Sequence, residues 1–102
     1  MLVMGYYIIM INKEAKRIER YFKGVANHYR ISILWLVATN PNITVNDIAV
    51  KLDVNFKTIS EHIRRLSLSG LVDKKYIGRN VTHTLSPFGK RFLRFTKSFL
   101  NS

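Results

Sequence analysis

Apolar residues recur along this chain in four helical stripes and one apolar run, and short alternating runs precede the last stripe. That order predicts five helices with a hairpin before the fifth. Asn12 is an N-cap candidate, and Ile11, Ala15, Ile18, Phe22 and Val25 follow at intervals of four, three, four and three. They form one stripe, with Lys13, Lys16, Arg17, Arg20 and Lys23 over the remaining surface, and Gly24 closes the helix. A second helix is expected from about Asn27 to Ala38. Its run Ile31, Ile33, Leu34, Trp35, Leu36 and Val37 is apolar almost all round, the mark of a central helix buried by its neighbours. Asn40-Pro41-Asn42 is a turn.

Thr44 caps a short third helix, with Asp47 at N3 in a capping-box arrangement and Ile48, Ala49 and Leu52 on the buried side. Asp53 tolerates a left-handed turn, and Asn55 caps a fourth helix. There Phe56, Ile59, Ile63 and Leu66 form the expected core face, leaving Lys57, Thr58, Ser60, Glu61, Arg64 and Arg65 outward or on the flanks. Gly70 suits the C′ position of that helix, and Leu71-Val72 opens a strand. Two strands flank the turn Ile77-Gly78-Arg79-Asn80, with Val81, His83 and Leu85 on one face of the second and Thr82 and Thr84 on the other. Ser86-Pro87 then pairs an N-cap with proline at N1. In the last helix Phe88, Phe92, Phe95 and Phe99 lie on one stripe, widened by Leu93 and Leu100. The stripe has two readings, closure of the monomer core or a surface for a second copy.

Residues 1–11 are apolar, too short to span a bilayer, and have no basic residues before the apolar run. They are an extra strand or helix used in dimerisation, or an extended start with Met4 and Met10 as alternative initiators. With no export signal the expected compartment is the cytoplasm.

At 102 residues and 47% hydrophobic content the chain is expected to be one packed domain with surface left for an oligomer interface. Seventeen Lys and Arg against six Asp and Glu give +11, which calls for a polyanionic partner. The excess is localised. Residues 57–97 hold ten basic and two acidic side chains, a net +8, whereas residues 24–56 sum to zero. The absence of cysteine removes disulfides, thiolate metal sites and cysteine nucleophiles. No nucleophile–base motif, phosphate loop or paired carboxylates occur, so an enzyme is not expected and no cofactor is implied.

Helix, tight turn, helix, Gly, strand, basic hairpin, strand is the plan of a winged helix-turn-helix: mainly α, about five helices and a two-stranded antiparallel wing. The helix-turn-helix covers residues 44–69 and the wing residues 71–85, flanked by expected dimerisation helices at 12–24 and 87–100. Such a fold presents one helix to the major groove of DNA.

The residues also resemble a family. Val25-Ala26-Asn27-His28-Tyr29-Arg30-Ile31-Ser32-Ile33-Leu34 is similar to the start of the second helix in ArsR-type repressors. Asp47-Ile48-Ala49, Leu52, Lys57-Thr58-Ile59-Ser60-Glu61-His62-Ile63, Leu66 and Gly70-Leu71-Val72 resemble the helix-turn-helix of the ArsR and MarR groups, and Arg79 to Leu85 resembles their wing and return strand. The resemblance implies DNA binding and a homodimer built from the first and last helices, with Ile11, Ala15, Ile18, Phe22, Phe88, Phe92, Phe95 and Phe99 at the interface. It does not carry over metal sensing. The positions of the family's Cys-x-Cys pair hold Thr44-Val45-Asn46, and residues 87–100 contain no Asp, Glu or His.

For DNA, Lys57 and Arg64 can donate to guanine O6 and N7, and Glu61 can accept from cytosine N4. Thr58 and Ser60 reach phosphates or a thymine methyl, and Arg65 serves phosphate. Asn55 and His62 complete the helix contribution, His62 as a packing or phosphate group. Lys74, Lys75, Arg79 and Asn80 place the wing on the backbone or in an adjacent minor groove. Singly, each charge is equally well an ordinary solvated side chain. His28 and His83 are expected to cap or pack, and no pair of histidines has metal-ligand spacing. The expectation is a homodimeric, sequence-specific double-stranded DNA-binding regulator, a repressor on an inverted repeat, with no membrane role and an unknown effector. The alternatives are an architectural DNA coat and a winged-helix protein-interaction module.

Overall fold

The computed structural model describes residues 2–101. The elements run α1 (Leu2–Val25), α2 (His28–Thr39), α3 (Val45–Leu52), α4 (Phe56–Leu68), β1 (Val72–Ile77), β2 (Asn80–Leu85) and α5 (Pro87–Leu100). Core residues come from every element. Val25, Ile33, Leu34, Val37, Ile48 and Ala49 pack with Ile59, Ile63, Leu66, Leu71, Leu85 and Leu93.

The caps explain most of the boundaries. Asn27 accepts from the Tyr29 and Arg30 amides, and Thr44 and Asp47 form a complete capping box. Asp53 turns in the left-handed region at φ 53°, so the Val54 amide reaches back to the Ala49 carbonyl at 3.0 Å. Asn55 starts α4 two residues later, and this short turn fixes α4 against α3. At its far end Gly70 (φ 85°) permits the bonds Gly70 N–H to Ser67 O and Leu71 N–H to Leu66 O, a Schellman motif.

The strands pair antiparallel from Val72↔Leu85 to Ile77↔Asn80, leaving Gly78-Arg79 as a two-residue turn with φ 61° at Gly78. Beyond β2 the chain at Ile43 adds a bridge to His83. The His83 ring is 1% exposed and its Nδ1–H donates to the Ile43 carbonyl at 3.0 Å, stitching the wing base to the segment before α3. Thr82 is buried as well, donating to the Lys75 carbonyl at 3.1 Å.

Ser86 ties α5 to the hairpin base, donating to the Gly70 carbonyl at 2.6 Å and accepting from the Gly89 amide at 3.0 Å. Gly89 lies so close to the Leu71 carbonyl that a Cβ there would collide with it. Gly89 and Leu93 are the buried residues of α5. Phe88, Phe95 and Phe99 therefore point away from the core and remain 41–66% exposed, while Phe92 packs partly against it.

Two sequence expectations are corrected. Asn12 does not cap a helix: α1 runs unbroken from Leu2, because residues 2–24 contain no proline and Asn12 sits in the helix interior. Residues 2–11 are thus helical and continuous with α1, the helix and not the strand of the two expected forms (Met1 lies outside the described residues). Met4, Tyr6, Tyr7, Ile8, Ile9, Met10 and Ile11 are all exposed on this projecting end. Phe56 does not belong to the core face of α4. It is 55% exposed, whereas Ile59, Ile63 and Leu66 are fully buried. At the first position of α4 the Phe56 ring lines an open groove with Thr44, Val45 and Asn46 instead of reaching the core.

Candidate nucleic-acid interface

α4 carries two different edges. On one, Phe56, Ser60 and Arg64 line an open groove whose other walls are the start of α3, with Thr44, Val45 and Asn46, and the wing, with Lys74, Arg79 and Asn80. The i, i+4, i+8 spacing of the three helix residues places them on one line, and the two-residue wing turn brings Arg79 and Asn80 toward it. Lys57, Thr58, Glu61, Arg65 and Lys75 are exposed but outside this lining.

Glu61 organises the outer face. Its carboxylate accepts from Arg64 Nε at 3.0 Å and Arg64 Nη2 at 2.7 Å, a bidentate pair, and from Arg65 Nε at 3.4 Å. The Arg64 hydrogen bond chiefly, with the Arg65 charge behind it, holds the Glu61 pKa down to about 2, and Glu61 in turn raises that of Arg64. Two of the guanidinium groups expected on DNA are therefore docked on one carboxylate in the free protein. Asn55 is occupied too, its side-chain oxygen capping α4 through Lys57 N–H at 2.7 Å.

His62, expected among the DNA contacts, is turned toward α2. Its Nδ1 accepts from Arg30 Nη1 at 3.3 Å, and its ring lies 5.8 Å from that of Tyr29. Arg30 is 8% exposed and also donates to the Lys23 carbonyl at 3.4 Å, so one side chain ties α1, α2 and α4 together. Burial lowers the His62 pKa first, and the Arg30 and Arg65 charges add to the effect. In the sequence Arg30 figures only in the segment that resembles the start of the second ArsR-type helix, with no site role attached to it.

The α1–α5 face is aromatic. Phe22 meets Phe92 and Phe95 edge-on at 5.7 and 6.3 Å, Phe95 meets Phe99 at 4.8 Å, and Tyr21 stacks on Phe88 at 5.3 Å. Ile11, Ile18 and Phe22 on this helix stay 47–51% exposed, and Ala15 is exposed between them. The residues expected at a dimer interface thus lie together on an uncovered surface.

The family model for winged helix-turn-helix DNA-binding domains matches residues 27–73, the span from the cap of α2 into β1. This chain has the winged helix-turn-helix fold. Its fold is shared with ArsR- and MarR-type regulators of known structure. Reduced HlyU from Vibrio cholerae is 23% identical over 88% of this chain and 95% of its own, with a TM-score of 0.78. The homodimeric DNA-binding domain of Mb0332 from Mycobacterium bovis, described as a possible ArsR-family regulator, is 23% identical over 88% and 83%, with a TM-score of 0.79. MarR aligns over 96% of this chain and 74% of its own at 18% identity and a TM-score of 0.67. No curated protein matches the winged helix in sequence. Among its described residues no helix is long and apolar enough to cross a membrane.

Proposed function

We propose that this winged helix is a homodimeric regulator of transcription that binds double-stranded DNA sequence-specifically and represses by occluding a promoter. The observation that carries the reading is the groove between α4 and the wing, where Ser60 and Arg64 stand opposite Lys74, Arg79 and Asn80. A major groove is wide enough for one helix, and the distinct donor and acceptor pattern of each base pair lies along it. With α4 inserted, Lys57, Arg64 and Glu61 address base edges. Thr58, Ser60, Arg65 and Asn55 hold the flanks, and Lys74, Lys75, Arg79 and Asn80 take the backbone beside it. His62 acts from behind, positioning α4 on α2.

The aromatic α1–α5 surface supports a two-fold dimer, and the homodimeric state of the Mb0332 domain, which shares the fold, is in keeping with it. Two α4 helices about 34–36 Å apart would then address an inverted repeat. Metal sensing is not part of the proposal: the chain has no cysteine, and no group of three or more His, Cys, Asp or Glu gathers among the described residues.

Lys90, Arg91, Arg94 and Lys97 on α5 spread positive charge away from the groove and favour, as a second reading, a non-specific DNA coat. Selection from a random duplex pool at about 0.15 M salt separates the two. Enrichment of an inverted repeat supports the regulator, binding without enrichment supports the coat, and no binding overturns both.

A further inference from the structure

Of the apolar residues lining the groove between α4 and the wing, Val45, Phe56, Ile63 and Val81, Phe56 alone is exposed, and the proposed function gives it no task. Phe56 opens α4 at its first helical position and is 55% exposed, while the rest of the apolar stripe below it, Ile59, Ile63 and Leu66, is fully buried. The phenyl ring lines the groove beside Ser60 and Arg64 and across from Lys74, Arg79 and Asn80. A large apolar side chain is thus left half exposed in a groove that also carries Arg64, Lys74 and Arg79.

First-turn residues of a major-groove helix are the ones that reach base edges. Along that groove every base pair offers donors and acceptors, and a single apolar group occurs there, the 5-methyl of thymine. A phenyl ring can make no hydrogen bond to the other groups and gains only by covering the methyl. We infer that Phe56 recognises a thymine methyl, fixing an A·T pair under the N-terminal end of α4 in each half-site. The inference rests on the proposed DNA-binding function and adds an apolar contact to its polar ones.

The test uses the operator recovered by selection, with each thymine replaced in turn by deoxyuridine. That change removes the methyl and leaves all hydrogen-bonding groups and the backbone charge in place. One thymine per half-site should prove sensitive. Burial of one methyl corresponds to about a fourfold loss of affinity per half-site, and about fifteenfold when both are changed. Phe56→Ala should bind thymine and deoxyuridine duplexes alike, at the weaker affinity, and Phe56→Leu should keep part of the discrimination. If circular dichroism shows that Phe56→Ala has lost helix, Phe56→Gln replaces it. Two results overturn the inference while leaving DNA binding intact: wild-type protein indifferent to deoxyuridine at every position, or a Phe56→Ala variant as sensitive as wild type. Wild-type protein that binds no duplex overturns the proposed function and this inference together.

Discussion

Glu61 holds two guanidinium groups that DNA would otherwise attract, so Glu61→Gln should strengthen binding and blur it. The carboxylate lies 2.7 and 3.0 Å from Arg64 and 3.4 Å from Arg65. With its pKa held at about 2 by those arginines, it is anionic throughout the neutral range. Replacing it with the neutral isostere raises the chain charge from +11 to +12 and releases both side chains. With about six to eight phosphates neutralised per wild-type dimer, log K should fall with log salt at a slope near −5 to −7. If each subunit gains one phosphate contact, the slope steepens by about 1.8, and the loss of affinity between 50 and 200 mM salt grows about twelvefold. At low salt, affinity for random duplex rises, because phosphate contacts carry no sequence information. Discrimination between operator and random DNA falls, because a carboxylate that only accepts, and so selects the cytosine N4 donor, becomes an amide that both accepts and donates. Fluorescence anisotropy across a salt series on both duplexes measures slope and ratio together. An unchanged slope and an unchanged ratio would refute the view that Glu61 restrains the basic face.

Other consequences concern the scaffold. Gly89→Ala drives a Cβ into the Leu71 carbonyl and should cost about 1–3 kcal/mol, read as a lower denaturation midpoint with an unchanged denaturant slope. A midpoint equal to wild type would show that α5 can shift away. Phe95→Glu places a charge amid the Phe22, Phe92 and Phe99 rings. Light scattering should give the 11.9 kDa monomer instead of a dimer twice that mass. A dimer in that variant would put the two-fold interface elsewhere. Burial, ahead of the Lys74 charge, lowers the His83 pKa, and burial with the Arg30 charge lowers that of His62. Both histidines therefore bind protons more readily in the unfolded chain. Stability should be full above about pH 6.5 and decline as pH falls through that value toward the folded pKa values. Denaturation midpoints that stay constant from pH 8 to 5 would contradict this.

Local signals in the sequence foretold the local geometry. Thr44 with Asp47, Asn55, Gly70 and Ser86-Pro87 each act through neighbours within three residues, and each caps or turns the chain as its chemistry requires. What was hidden depended on tertiary surroundings. Phe56 has the same periodicity as Ile59 and Ile63, but at the first position of α4 it lines an open groove instead of reaching the core. Asn12 has cap chemistry, but one Asn in a helix interior costs only about 0.7 kcal/mol relative to Ala, too little to end a helix that no proline interrupts. Glu61 stands three and four residues before Arg64 and Arg65, so the pairing was legible from spacing. The competing role of each side chain on a base edge obscured it. Arg30 could not be foreseen as a buried tie, because its partners, His62 and the Lys23 carbonyl, lie on other helices.

The central claim is that α4 enters the major groove of two half-sites on one face of a duplex. Methylation interference at guanine N7, a major-groove atom, tests it most directly on the selected operator. The account predicts that methylation of a guanine in each half-site, the two about one helical turn apart, abolishes binding. Binding that tolerates N7 methylation at every guanine of the site would contradict it.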